Sequence, residues 1–333
     1  MSSVLAPTVD ALPEGLARVE LPTPFPVGPV NCYVLADHPV TVVDPGMGWA
    51  DAVGLLEAAL AAAGLRPDDV EQIVVTHAHP DHFGTAGWLA RASDAPIVCG
   101  RPERPKLAGG WSDGGIGTKL AGLVDGLGLP DEVRDTFKTF HEAVTTWVEV
   151  IDHDQIAPVD DGSLLTAGGR SWQVHLTPGH AAGHISLFDA GSRTLLGGDH
   201  LLARITPNPL LEPDAASPLG RRRSLVEYLA SLERFEALDP AVVLSGHGPA
   251  FTDLAQWAAA VRAHHARRAD EVLDEVRRLG SASAFELSRQ LFPHLEGFSH
   301  LLGVSEVVGH LDLLLDGGEV LCDSGVPDRY VAL

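Results

Sequence analysis

Cysteine is scarce in this chain. Its 333 residues include three, Cys32, Cys99 and Cys322, and their odd number and wide spacing argue against a disulfide framework or a thiolate zinc knuckle. Each reads as a small buried apolar residue. Bases are also few: 23 Lys and Arg stand against 45 Asp and Glu, a formal net charge of −22. Binding nucleic acid without regard to sequence needs clustered cations to meet the phosphates, so this balance disfavours it. No apolar run reaches the roughly 18 residues of a membrane span. Residues 1–15 lack a basic stretch followed by an apolar core of signal length. The expectation is a cytoplasmic, reducing setting. With 45% hydrophobic residues the composition is that of a globular protein, long enough for one large domain and one small one.

Local patterning gives an α/β framework. Segments 17–20, 31–36 and 40–44 predict an antiparallel start, interrupted by Pro45, Gly46 and Gly48. An Ala/Leu-rich helix is expected over 51–63, closed by Gly64. A strand over 72–76 runs straight into a histidine cluster, a helix over 83–93 follows, and 96–99 returns to strand. That alternation implies helices packed on a sheet. Residues 101–158 break the rhythm at Gly109-Gly110, Gly114-Gly115 and Gly117, then predict a helix over 131–150. They read as an insertion and a candidate lid. Strands over 171–176, 184–188, 194–196 and 242–244 resume the sheet. A helix over 224–238 opens with Ser224 answered by Glu227, a capping-box pattern.

Residues 1–252 therefore read as a main domain. From 253 to 333 the pattern is a long helix to about 279, shorter helices over 283–291 and 304–315, and a hairpin pairing 319–322 with 329–332. Three helices and a hairpin make a winged-helix pattern. Its last helix carries Glu306, Asp312 and Asp316 without Lys or Arg, the reverse of a DNA-reading helix. The expected use is packing, a homodimer contact or the rim of a substrate site.

The chemistry concentrates in His77-Ala78-His79-Pro80-Asp81-His82. In extended chain, residues i and i+2 point to one side, so His77 and His79 can face one ion together. The turn into the next helix swings Asp81 and His82 towards a second. Imidazole and carboxylate suit zinc, with iron and manganese as alternatives. Three more segments place donors directly after expected strands: Thr177-Pro178-Gly179-His180, Gly197-Gly198-Asp199-His200 and Ser245-Gly246-His247-Gly248. Small neighbours let the backbone come close, and strand ends along one sheet edge are where α/β sites form.

This ordered set, with Val43-Asp44-Pro45-Gly46-Met47 before it, resembles the metallo-β-lactamase superfamily over roughly residues 17–252. The resemblance implies an αββα sandwich, here with a helical insertion and a small C-terminal winged-helix domain. It assigns His77, His79 and His180 to one ion, Asp81, His82 and His247 to a second, and Asp199 to both. An aspartate at position 199 disfavours a true β-lactamase. The 47 positions from Asp199 to His247 leave no room for the extra domain of the β-CASP nucleases. The first motif lacks the glutamate of the flavodiiron proteins. No tyrosine lies between Asp199 and Tyr228, unlike the quorum-quenching lactonases. Two groups remain similar: the glyoxalase II-like thioester hydrolases, and lactamase-like proteins with a C-terminal winged helix, some of them endoribonucleases. Residues 198–202, 205–209 and His264-His265-Ala266-Arg267-Arg268 look most like the second group.

The expected activity is that of a dinuclear metallo-hydrolase. A hydroxide held between two divalent ions, nucleophilic at neutral pH, would attack an acyl ester or thioester. The alternative is an endoribonuclease or phosphodiesterase. Asp81 and Asp199 are the candidate catalytic carboxylates, with Asp81 aiming the hydroxide. The expected partner is a small acyl substrate, not nucleic acid or membrane. Asp44 and His200 are candidates to orient ligands from behind, and His184 is a further one. His175 reads as structural. His141 and His153 could reach a substrate if 101–158 closes as a lid. Arg221, Arg222 and Arg223 read as a solvated charged face.

Overall fold

The computed structural model describes residues 8–9, 12–111 and 123–333. In chain order the strands are β1 (Thr8–Val9), β2 (Leu16–Leu21), β3 (Val30–Leu35), β4 (Thr41–Val43), β5 (Gln72–Val75), β6 (Ile97–Gly100), β7 (Ile156–Val159), β8 (Leu164–Ala167), β9 (Arg170–Leu176), β10 (Ile185–Asp189), β11 (Thr194–Gly198), β12 (Val242–Ser245), β13 (Ala250–Phe251), β14 (Val320–Asp323) and β15 (Arg329–Ala332). The helices are α1 (Ala50–Ala62), α2 (Pro80–Phe83), α3 (Ala86–Ser93), α4 (Asp131–Thr145), α5 (Ser224–Glu236), α6 (Leu254–Leu279), α7 (Ala284–Leu291) and α8 (Ser299–Asp316). No helix among the described residues is long and apolar enough to cross a membrane.

Two sheets lie face to face. One has strand order β2-β3-β4-β5-β6-β7, the other β1-β13-β12-β11-β10-β9-β8. Side chains alternate along each strand, and both faces are apolar. Tyr33, Val43, Val74 and Val98 meet Trp172, Val174, Ile185, Leu187, Leu196 and Leu244 between the sheets. The opposite faces carry Val42, Ile73, Val75 and Ile97, which pack on Leu56 and Leu60 of α1 and Leu89 of α3. On the far side Leu195, Val243 and Phe251 bury against Leu225 and Leu232 of α5 and Trp257 of α6. Helices outside and two sheets within make the expected αββα sandwich.

Several boundaries differ from the sequence reading. The segment 101–158 is not wholly an insertion, because β7 pairs in parallel with β6 and returns to the sheet. Its helix stops at Thr145, five residues short of expectation. Val124, Leu127, Leu129 and Phe137 bury in one core with Val272, Leu287, Val304 and Leu311 of the C-terminal helices. Phe140 of α4 stacks on Phe298 with centroids 3.7 Å apart. Part of this excursion thus packs on α6–α8 because its apolar face finds its partner there. Gly114, Gly115 and Gly117 lie outside the described residues.

Ser224 forms no capping box. Its hydroxyl donates to the Leu210 carbonyl at 2.7 Å, and Glu227 takes Arg222 at 2.7 Å. The reciprocal box stands instead at α7, between Ser283 and Glu286. Cys32 and Cys99 are buried as expected, whereas Cys322, on the small β14–β15 hairpin, is half-buried.

The Arg run is not a solvated face either. Arg221 makes a two-pronged pair with Asp312 of α8, both bonds 2.7 Å. Arg223 reaches the Asp312 carbonyl at 2.8 Å and the Asp316 carboxylate at 2.6 Å. Asp312 and Asp316 of the last helix are thus met by Arg221 and Arg223 ahead of α5.

Candidate metal centre

Parallel strands end together, and the first half of the site is built on that fact. β4 and β5 run in parallel register, so Asp44 just beyond β4 lies beside Thr76 just beyond β5. Asp44 accepts the Thr76 amide at 2.8 Å and the Thr76 hydroxyl at 2.7 Å. Its backbone has a φ of 52°, a left-handed conformation that Asp tolerates better than most residues. Beyond Thr76 comes His77, and the chain enters α2 with His79 at its N-cap. The second sheet supplies the rest from the loops after β9, β11 and β12.

All seven expected donors converge. One ligating atom from each of His77, His79 and His180 lies within 4.8 Å of the others, and the same holds for Asp81, His82 and His247 and for His77, His82 and Asp199. His79 Nδ1 sits 2.8 Å from His77 Nε2 and 3.0 Å from His180 Nε2. Asp199 reaches towards His82 Nε2 at 3.3 Å, His247 Nε2 at 3.4 Å and His180 Nε2 at 3.6 Å. The small residues beside the donors are steric necessities. A Cβ on Gly246 would collide with Asp199 Oδ1, and one on Gly179, whose φ is 141°, would come within 2.5 Å of Tyr228 Cα.

The outward ring nitrogens set the tautomers. His247 Nδ1 lies 2.9 Å from the Pro29 carbonyl and His180 Nδ1 3.3 Å from that of Asn208. A carbonyl only accepts, so both Nδ1 atoms carry protons and both Nε2 atoms turn to the site. His82 Nδ1 is held in the same way by Asp44 at 2.9 Å.

Burial and mutual repulsion hold His77 and His79 well below the ordinary histidine range, and burial lowers His180 against the pull of Asp199. Their ring nitrogens face one another at 2.8 and 3.0 Å. Burial opposes charge on His82 and His247 too, but the carboxylates outweigh it, raising His82 well above normal and pushing His247 up to about 10. Burial would raise the Asp199 carboxyl, yet His247 and His82 hold it well below its usual range. His82 Nε2, His247 Nε2 and Asp199 Oδ1 are buried without a hydrogen-bond partner. Imidazole nitrogens turned inward around carboxylates, with buried polar atoms left unpartnered among them, fit divalent transition cations, which would take the place of protons there.

Sequence reasoning missed the braces. Glu103, fully buried, accepts the Ala78 amide at 3.0 Å and the Gly183 amide at 2.7 Å. It thereby ties the His77-His79 loop to the loop that follows His180. Lys106 bridges Glu103 at 3.0 Å and Glu212 at 2.8 Å, and these carboxylates raise its pKa although burial opposes it. Glu212 in turn accepts the Ala182 amide at 2.9 Å. Asn31 Nδ2 donates to the Ser245 and Gly248 carbonyls at 2.8 and 2.7 Å, and the Tyr33 hydroxyl to Ser245 at 2.7 Å. They hold the His247 loop against β3. No motif marks these residues, which are ordinary in composition and distant in sequence from the loops they hold.

His200 departs from its expected place. It bonds none of the seven residues; its ring lies 4.4 Å from that of Tyr228 and 5.5 Å from that of Phe235, and burial pushes it down to about 3. His184 takes a supporting position, its Nδ1 2.8 Å from the Thr177 hydroxyl and its ring 5.2 Å from His77. His175 is buried on β9, His141 half-buried on α4, and His153 exposed.

An αββα sandwich with His/Asp clusters at its strand ends defines a class of α/β protein with a candidate metal site at one edge of its sheets. The chain belongs to the metallo-beta-lactamase superfamily, whose model matches residues 25–247. It is 33% identical over 313 residues to the Bacillus subtilis protein named "Probable metallo-hydrolase YqjP", covering 90% of this chain and 92% of that one. A metallo-beta-lactamase family protein from Thermus thermophilus superposes with a TM-score of 0.81 at 30% identity, covering 97% of this chain and all of its own. A beta-lactamase domain protein from Burkholderia ambifaria gives 0.80 at 26%, covering 98% and 94%.

Proposed function

We propose that this superfamily hydrolase is dinuclear and cleaves acyl esters or thioesters. The observation that carries the reading is the convergence of two donor sets on one carboxylate, Asp199. His77, His79 and His180 would hold one cation, and Asp81, His82 and His247 the other. When bound, such ions supply Lewis acidity and lower the pKa of water towards neutrality. The protein's own part is orientation and proton handling. Asp44 fixes the His82 ring, and the Pro29 and Asn208 carbonyls fix those of His247 and His180. The Asp81 carboxylate, buried beside His247 at 3.4 Å, accepts a hydrogen bond from the attacking water and aims it.

Acyl substrates are favoured over phosphodiesters by charge. Arg221, Arg222 and Arg223 are all engaged by carboxylates, so this run offers no clamp to a phosphate. A small cavity of about 50 Å³ beside α2 is lined mainly by apolar groups, among them Phe83, Leu107, Trp111 and Val148. The test is thiol release from acyl-CoA and acyl-glutathione panels, with single-stranded RNA in parallel and Asp199→Ala as control. Metal-dependent thiol release that disappears in the variant is expected. Metal-dependent RNA cleavage without turnover of any acyl substrate would replace this reading with the nuclease one.

A further inference from the structure

A second histidine cluster lies away from this centre, between α6 and α8. His264 and His265 are consecutive on α6, and Glu306 and His310 stand one turn apart on α8. A ligating atom from each of His264, His265 and Glu306 lies within 4.8 Å of the others. The tautomers follow from the contacts. His310 Nδ1 lies 2.7 Å from the Glu306 carbonyl, which only accepts, so Nδ1 carries the proton and Nε2 keeps its lone pair. His265 Nδ1 is 3.1 Å from that Nε2 and must therefore donate to it. The lone pair of His265 is thus on Nε2, which is buried and has no hydrogen-bond partner.

We propose that His264, His265 and Glu306 form a separate binding site for a divalent transition cation such as zinc, with His310 orienting His265. An unpartnered imidazole nitrogen in the interior costs free energy unless something accepts its lone pair. A cation does so, and two imidazoles with one carboxylate are a borderline-soft donor set suited to zinc. A hydrogen bond from a neighbouring ring that fixes tautomer and direction is the usual support of a ligating histidine. Of the like charges that bear on His264, Arg267 and Arg268, the second is engaged by Glu271 at 2.6 Å and lies over the Phe292 ring. The Tyr228 and His200 rings separate the cluster from the dinuclear centre, with centroids 5.9 Å from His265 to Tyr228 and 4.4 Å from Tyr228 to His200. A cation here would staple the two long C-terminal helices together.

The test counts zinc in the full-length, zinc-loaded protein by mass spectrometry after dialysis, for wild type, His264→Ala and Glu306→Gln. Each variant is expected to hold one zinc fewer per chain than wild type. Wild-type crystals should show a zinc anomalous-scattering peak among the three side chains, and Glu306→Gln crystals should not. Glu306→Gln keeps the shape of the site, and the wild-type peak decides the matter alone should His264→Ala not fold. Equal zinc in all three proteins, no peak, or occupancy only at millimolar zinc would overturn the proposal.

Discussion

The Asp44 carboxylate lies 2.9 Å from His82 Nδ1, and both groups are buried. The same carboxylate accepts two hydrogen bonds from Thr76, so one side chain just past β4 orders both the strand end and a ring of the donor cluster. Asp44→Asn keeps the shape but can turn an amide donor towards His82 and removes the negative charge. Metal affinity is expected to fall about 10- to 100-fold, the usual effect of losing an outer partner of a ligating histidine. Competition against a chromogenic chelator measures it. An unchanged affinity would reduce Asp44 to a turn residue.

Glu103 is the next test, because it joins two ligand loops that no local interaction connects. Glu103→Ala leaves Lys106 buried with one carboxylate and frees two buried amides. The expected loss of stability is about 3–5 kcal/mol, as for other broken buried ion pairs. Glu103→Gln, which keeps one acceptor oxygen, should lose less. Urea denaturation of the metal-free forms isolates this effect from metal binding.

Arg221 and Asp312 invite a double-mutant cycle. Asp312→Ala strands a guanidinium whose side chain is 11% exposed, and about 3–5 kcal/mol should be lost. Replacing both by apolar residues of similar volume should recover much of it. Strict additivity of the two single changes would mean that the pair is not coupled.

Removing metal should destabilise as well as inactivate. An ion held at 1,000 times its dissociation constant contributes about 4 kcal/mol through mass action, so chelation should lower the melting temperature. Added zinc should restore it. Asp199→Ala should shrink the difference between chelated and loaded protein, because Asp199 faces both donor sets. Calorimetry with and without chelator reads this directly.

Asp189 governs part of the acid response. Burial would raise its carboxyl, but the Ser192 hydroxyl, the amides of Gly191 and Ser192, and Arg170 together hold it below the usual range. Its folded pKa lies under the unfolded value of about 3.9. The stabilisation is therefore complete above that value and is lost as pH falls through the folded one. Asp189→Asn should be less stable than wild type at neutral pH and should lose less on acidification to pH values of about 2. Parallel pH–stability curves for the two proteins would contradict this.

Much of the site was legible because its chemistry is local in sequence. His77, His79, Asp81 and His82 occur within six positions, and His180, Asp199 and His247 each follow a strand with glycine beside them. Strand register and the period of two then bring them to one edge of the sandwich. His200 was misplaced for the same reason: adjacency to Asp199 in sequence says nothing about direction, and its ring turns into the apolar layer under α5.

From sequence alone, hydrophobic periodicity and turn residues marked an α/β chain, residue types at strand ends marked the candidate donors, and the resemblance to the metallo-β-lactamase superfamily implied the four-layer sandwich and the grouping of seven of those donors. Only the tertiary structure decided what holds those donors in place and where the charges go. Glu103, Asn31 and Tyr33 act across 25 to 217 positions of chain, Lys106 meets Glu212 in the distant loop before α5, Arg221 meets Asp312 across 91, and residues 124–137 join the core of α6–α8. Such pairings are set by which buried charge or apolar face lacks a partner once the sheets have closed, and no window of sequence contains both halves.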